Sequence, residues 1–130
     1  MTQNPVISIV DDHPLARAAI EGFVRSLGFS ARTFASAESF LQSSSSIAET
    51  GCLILDVQMP KMSGLDLQNH LTQNGFDIPI LFITAHPEEA IKARALSAGA
   101  IGFLRKPLDL QELANCLHAA LGRGRGVALP

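Results

Sequence analysis

Two adjacent carboxylates, Asp11 and Asp12, end the apolar run "VISIV" at 6–10, and a third, Asp56, ends "CLIL" at 52–55. A hydroxyl, Thr84, follows "ILFI" at 80–83, and an ammonium, Lys106, follows "IGFLR" at 101–105. Like charges repel, so three carboxylates brought together need a counter-charge, and a hard divalent cation is the usual remedy. Mg2+ suits such a set because it takes few protein carboxylates, keeps several waters and favours phosphate oxygens. Lys106 offers a compact positive charge for one phosphoryl oxygen, and Thr84 a hydroxyl for another. Asp56 has a second role open to it, as the nucleophile whose carboxylate takes the phosphoryl group. Transfer of this kind needs mostly positioning and charge neutralisation. Taken singly, each residue is what any strand end offers; only their convergence would make a site.

The surrounding pattern supplies that convergence. Five short apolar or β-rich runs recur, Val6–Val10, Ser30–Phe34, Cys52–Leu55, Ile80–Ile83 and Ile101–Arg105, with helical patterns between them. Leu15, Ala16, Ala19, Ile20, Phe23, Val24 and Leu27 repeat at helical spacing, with Pro14 suited to the first turn and Gly28 to the stop. Ser36 caps a short second helix over Ala37–Gln42, and a third starts near Gly64. A fourth runs from Pro87 to Gly99. Asp109 caps a fifth, whose inner stripe is Leu110, Leu113, Leu117 and Leu121. The serines at 43–46 are expected to form a solvated loop.

Five strand–helix alternations argue for a parallel sheet covered on both faces. The first, third and fourth runs are almost continuously apolar and belong in the centre; the second and fifth carry more polar positions and fit the edges. That agrees with the doubly wound order 2-1-3-4-5, in which ligands sit at the carboxyl ends of the strands. Asp11, Asp12, Asp56, Thr84 and Lys106 all fall there.

Composition bounds the rest. At 130 residues, 47% apolar and 17% charged, the chain is one ordinary globular domain. One domain is expected over residues 1–121, followed by a Gly/Arg-rich tail or linker stub over 122–130. The net charge of −2 gives no general pull toward nucleic acid or membrane, and Arg123 with Arg125 is too short a basic run to bind DNA. Cys52 and Cys116 lack metal-site spacing and read as reduced thiols of a cytoplasmic protein. No signal peptide or transmembrane run is visible. His13 is expected at the site rim without chemistry, and His86 near the start of the fourth helix.

From Val6 to about Leu121 the chain resembles the bacterial response-regulator receiver (CheY-like) family, closest in look to receivers of LuxR/FixJ-type transcriptional regulators. The resemblance rests on "VDDH" (10–13), "LDVQMPKMSGLDL" (55–67), "FITAH" (82–86) and "GFLRKP" (102–107), in that order. It implies the (βα)5 flavodoxin-like fold and a phosphorylated Asp56. Asp11, Asp12, Asp56 and the backbone carbonyl of Gln58 would hold Mg2+, and Thr84 and Lys106 would grip the phosphoryl oxygens. Phe103 matches the aromatic switch residue, with Thr84 as its partner. It stands where many members carry Tyr, so it has no hydroxyl to bond in its inward state. Gln58 and His86 occupy positions that can tune hydrolysis of the acyl phosphate. The Lys106–Pro107 bond is expected to be cis.

The implied partners are a sensor histidine kinase or phosphotransfer protein, and an output domain or protein outside this chain. The implied readout is the face of the fourth helix, fifth strand and fifth helix, with homodimerisation on phosphorylation open to it. Two alternatives share these residues: a stand-alone phosphorelay receiver, and a receiver-fold binding module that works without phosphorylation. A flavodoxin-type carrier would need a hydroxyl- and glycine-rich loop after the first strand, where this chain has carboxylates. A haloacid-dehalogenase-type phosphohydrolase would want an acid at position 58, which is Gln58. The domain is expected to be a signalling phosphoacceptor and no enzyme toward external substrates.

Overall fold

The structure, a computed structural model, describes residues 6–122. The tail expected after Leu121 lies outside the described residues, apart from Gly122 at the end of the last helix. In chain order the elements are β1 (Val6–Val10), α1 (Pro14–Ser26), β2 (Ser30–Phe34), α2 (Ala37–Leu41), α3 (Ser44–Glu49) and β3 (Thr50–Asp56). There follow α4 (Gly64–Gln73), β4 (Ile80–Thr84), α5 (Glu89–Ser97), β5 (Gly102–Arg105) and α6 (Leu110–Gly122). The fourth and fifth helices expected from sequence are thus α5 and α6.

All four strand pairings are parallel and the order is β2-β1-β3-β4-β5, as the apolar ranking of the runs anticipated. Because side chains alternate along a strand, each strand feeds two cores. Ile7, Ile9, Cys52, Ile54, Leu81, Ile83 and Leu104 pack with Ile20, Val24, Leu113 and Leu117 of α1 and α6. Val10, Leu53, Leu55, Ile80 and Phe82 pack on the other face with Phe40, Ile47, Leu67, Leu71 and Ala95 of α2 to α5. Helix ends follow local chemistry. The Ser36 hydroxyl accepts from Ser39 N, and Ser63 with Asp66 forms a reciprocal capping box. Asp109 Oδ1 accepts from Glu112 N at 3.1 Å.

Two expectations need correction. The serine run is no loop: α3 occupies Ser44–Glu49 and buries Ser46 and Ile47. Its hydroxyls are satisfied locally, with Ser43 Oγ donating to Ser46 Oγ at 2.8 Å and Arg32 Nη1 at 3.1 Å. Ile47 then supplies the apolar anchor that a polar run seemed to lack. Leu15 and Leu110, assigned to inner faces, are 87% and 51% exposed. Each stands in a helix's first turn, where 3.6-residue spacing says nothing of how far the sheet extends. On α5, only Ala95 is buried and Ile91 is half-buried; the other apolar residues of that helix face outward.

Candidate functional site

Strand parity brings the site together. Asp11 continues the alternation of Ile7 and Ile9, Asp56 that of Cys52 and Ile54, and Lys106 that of Leu104, so all three fall toward the α1/α6 side. The ladder runs on into these residues. Asp11 N donates to Phe34 O at 3.2 Å, Val57 N to Ile83 O at 2.9 Å and Lys106 N to Thr84 O at 2.8 Å. Lys106 Nζ then lies 2.9 Å from Asp11 Oδ2 and 3.3 Å from Asp56 Oδ2. The Lys106–Pro107 peptide is cis.

The carboxylates are not electrostatically equivalent. Burial pushes Asp56 up; the Lys106 charge opposes this, the Asp11 charge adds to it, and its pKa ends above the ordinary aspartate value. Asp11 is buried as well. Its hydrogen bonds to Lys106 and to the His13 backbone outweigh burial, and its pKa ends lowered. Lys106 is raised: burial works against its charge, but the hydrogen bond to Asp11 and the Asp56 and Asp11 charges prevail. One lysine cannot fully serve two acids, and Asp56 is the one left short.

Asp12 lines an open cleft of about 540 Å³ together with His13, Gln58, Met59, His86 and Ile91. Its Oδ1 is buried yet accepts no hydrogen bond. Gln58 and His86 are both exposed there. Gln58 N donates to Asp56 Oδ1 at 3.2 Å, which turns the chain over the carboxylate. Thr84 is fully buried, and its Oγ1 accepts from His86 N at 3.0 Å. It shares the parity of Phe82, so it faces the α5 side, away from Asp11 and Asp56. Phe103 stands beside Phe82 across the β4–β5 pairing, half-buried, with ring centroids 6.2 Å apart. The structure thus gathers Asp11, Asp12, Asp56 and Lys106 into one cluster. It sets Thr84 and Phe103 on the opposite side of the sheet end.

Two residues of the site escaped the sequence reading. His13, expected at the rim, is 63% exposed there, but its Nδ1 lies 3.2 Å from Asp11 Oδ1, 3.2 Å from Asp12 Oδ1 and 3.6 Å from Asp56 Oδ2. Arg17 Nη1 donates to the Asp11 carbonyl at 2.7 Å, pinning the end of β1 from one turn into α1. The only sequence signal for His13 was adjacency to the acid pair, and Arg17, five residues beyond Asp12, carried none. Gly64 is a third positional device: a Cβ there would run into the Asp56 carbonyl oxygen, with Asp56 C and Phe82 Cε1 each 3.1 Å away. Only glycine lets α4 start this close beneath the acid.

The family model of the response regulator receiver domain matches residues 7–118. The chain belongs to that family. It is 44% identical over 119 residues to the response regulator protein TmoT of Ectopseudomonas mendocina, covering 92% of this chain and 54% of that protein. It is 38% identical over 122 residues to the transcriptional regulatory protein TdiR of Thauera aromatica, covering 94% of this chain and 53% of that one. It therefore spans about half the length of the curated relatives it matches. The crystal structure of FixJ-N superposes with a TM-score of 0.83 at 30% identity, covering 98% of this chain and all of that one. The fold is the CheY-like flavodoxin fold.

Receiver domains bind Mg2+ at an acidic pocket, and the residues present here fit one. Ligand atoms of Asp11, Asp12, His13 and Asp56 all lie within 4.8 Å of one another. Two of the three carboxylates share one lysine, and a buried carboxylate oxygen of the third, Asp12, accepts no hydrogen bond. That donor set and that charge deficit suit a hard divalent cation. Among the described residues, no helix is long and apolar enough to cross a membrane.

Proposed function

We propose that this receiver accepts a phosphoryl group on Asp56 from a histidine kinase or phosphotransfer protein, in a Mg2+-dependent, cytoplasmic two-component system. The observation that carries the reading is Lys106 Nζ held between Asp56 and Asp11, with Asp12 beside them lining the cleft. Asp11, Asp12, Asp56 and the Gln58 carbonyl would hold Mg2+, which supplies charge neutralisation to the incoming phosphoryl oxygens. Asp56 is the nucleophile, a buried carboxylate at the end of β3 held beside Lys106. Lys106 moves from carboxylate pairing to phosphoryl pairing without leaving its place. Gln58 and His86, exposed on the same cleft, tune access of water to the acyl phosphate.

The switch follows from parity. Once the Asp56 side gains phosphoryl oxygens, the Thr84 hydroxyl turns toward them and leaves His86 N, opening room beside Phe82 for Phe103 to turn further in. The α5–β5–α6 face then changes for an output domain or partner. Relatives of about twice this length, one of them named as a transcriptional regulator, support transcription as the controlled output. Homodimerisation through the same face on phosphorylation belongs to this reading.

The test is incubation with Mg2+ and acetyl phosphate, then intact mass, on wild type and Asp56→Asn. A gain of one phosphoryl group that needs Mg2+ and is lost in Asp56→Asn is the expected result. Failure of this donor and of a panel of histidine kinases to label Asp56 would overturn the reading.

A further inference from the structure

His13 follows the acid pair directly and is the N-cap of α1, with extended backbone at φ −94° and ψ 111°. Its backbone N donates to Asp11 Oδ1 at 2.9 Å, a tight local turn that folds the residue back over the strand end. Pro14 then starts the helix and carries the chain away. The imidazole lines the cleft, 63% exposed, and it approaches the same Asp56 Oδ2 that Lys106 pairs with at 3.3 Å. Nδ1 therefore approaches one oxygen from each of three carboxylates, at 3.2, 3.2 and 3.6 Å.

Those spacings have a second meaning. Neighbouring donors on an octahedral cation with bonds of about 2.1 Å stand about 3.0 Å apart. Nδ1 is thus at the separation from Asp11, Asp12 and Asp56 that a fourth donor adjacent to each would take. A solvent-side ion pair would need only one such contact. We propose that His13 is a nitrogen donor to the cation site, making it a mixed N/O site that favours first-row transition cations over Mg2+ more than carboxylates alone would. The inference rests on the reading that Asp11, Asp12 and Asp56 hold a divalent cation. Imidazole suits Ni2+ and its neighbours, whereas Mg2+ prefers oxygen and gains little from nitrogen.

The experiment compares wild type, His13→Ala, His86→Ala and Asp12→Asn. Dissociation constants for Mg2+ and Ni2+ are measured by calorimetry, and Mn2+-loaded protein is examined by electron spin echo envelope modulation. Expected are nitrogen modulation in wild type that disappears in His13→Ala, and a fall of about tenfold or more in Ni2+ preference with nearly unchanged Mg2+ affinity. Mg2+ binding that is lost in Asp12→Asn, with no nitrogen signal and an unchanged Ni2+ preference in His13→Ala, would overturn the role of His13 alone. Nitrogen modulation that survives in His13→Ala and vanishes in His86→Ala would overturn it too. Absence of any cation binding by wild type would overturn both this role and the Mg2+ site beneath it.

Discussion

Replacing Lys106 by Met keeps the stem volume and removes the one fixed cation between Asp11 and Asp56. Breaking a buried charge pair by deleting one partner costs about 3–5 kcal/mol. The loss has a ceiling, because a stranded carboxylate can take up a proton instead. One pKa unit is worth about 1.36 kcal/mol and the ordinary aspartate value is about 3.9, so protonating one acid costs about 4 kcal/mol at pH 7 but only about 1.5 kcal/mol at pH 5. The sign follows: without Lys106 the folded-state acids titrate higher than in the unfolded chain, and the penalty grows as pH rises from the ordinary aspartate range. Lys106→Met should therefore be about 3–4 kcal/mol less stable than wild type at pH 7 and about 1.5 kcal/mol less at pH 5. Urea unfolding in EDTA at both pH values reads this directly. With an m-value of about 1.5 kcal/mol/M the midpoint falls by about 2 M at pH 7. An equal loss at both pH values would mean that misfit of the methionine, not loss of the charge, set the penalty, and the electrostatic account of the site would fail.

The same alanine substitution should have opposite signs at two glycines. Gly64→Ala meets the Asp56 carbonyl and should lose about 2–3 kcal/mol, whereas Gly22→Ala, in open space inside α1, should gain about 0.5–1 kcal/mol; urea midpoints decide. Asp56→Asn removes an acid whose pKa the fold raises, and which therefore costs stability once ionised above the ordinary range. Without divalent cation the variant should melt roughly 3–5 °C higher than wild type at pH 7, with the advantage gone near pH 4. Gln68 is buried and its Nε2 donates to the Ala95 carbonyl of α5 at 3.1 Å. Gln68→Ala should cost about 1–2 kcal/mol and raise amide hydrogen exchange across Glu89–Ser97 more than elsewhere.

The strand ends were legible because a parallel sheet covered on both faces leaves its central strands almost wholly apolar, so the first polar residue marks where cover stops. That logic located Asp11, Asp56 and Thr84; Lys106 follows the edge run "IGFLR", and the resemblance added Gln58 and Phe103. It had no purchase on α3, whose Ser46 accepts from Arg32, a residue 14 positions earlier on β2. Nor did it reveal His13. An imidazole beside two acids has the same sequence whether it points to solvent or back over the cluster, and only the turn made by His13 N onto Asp11 Oδ1 decides. Leu15 and Leu110 show the converse failure: helical period predicts a face, while burial depends on whether the sheet reaches under the first turn.

Parity also accounts for which helix should respond to chemistry at Asp56. Asp56 belongs to the α1/α6 side of the sheet, yet its neighbour β4 ends in Thr84, which belongs to the other. β4 is paired on both edges, with β3 carrying the acid and β5 carrying Phe103 and leading into Lys106. Under the proposed phosphorylation of Asp56, rotation of the Thr84 side chain at its end would carry a change from the acid's side of the sheet to the other. On the far side it meets α5, the helix with one buried residue, Ala95, and a polar tether to Gln68 on α4. By contrast α6 buries Leu113, Ala114, Leu117 and Ala120. A perturbation crossing at Thr84 reaches a helix that little apolar burial holds in place, so α5 moves at lower cost than α6 can. If Gln68→Ala loosens α5 and leaves α6 protected, α5 is the less firmly held of the two helices; equal loosening of both would remove the basis for that difference.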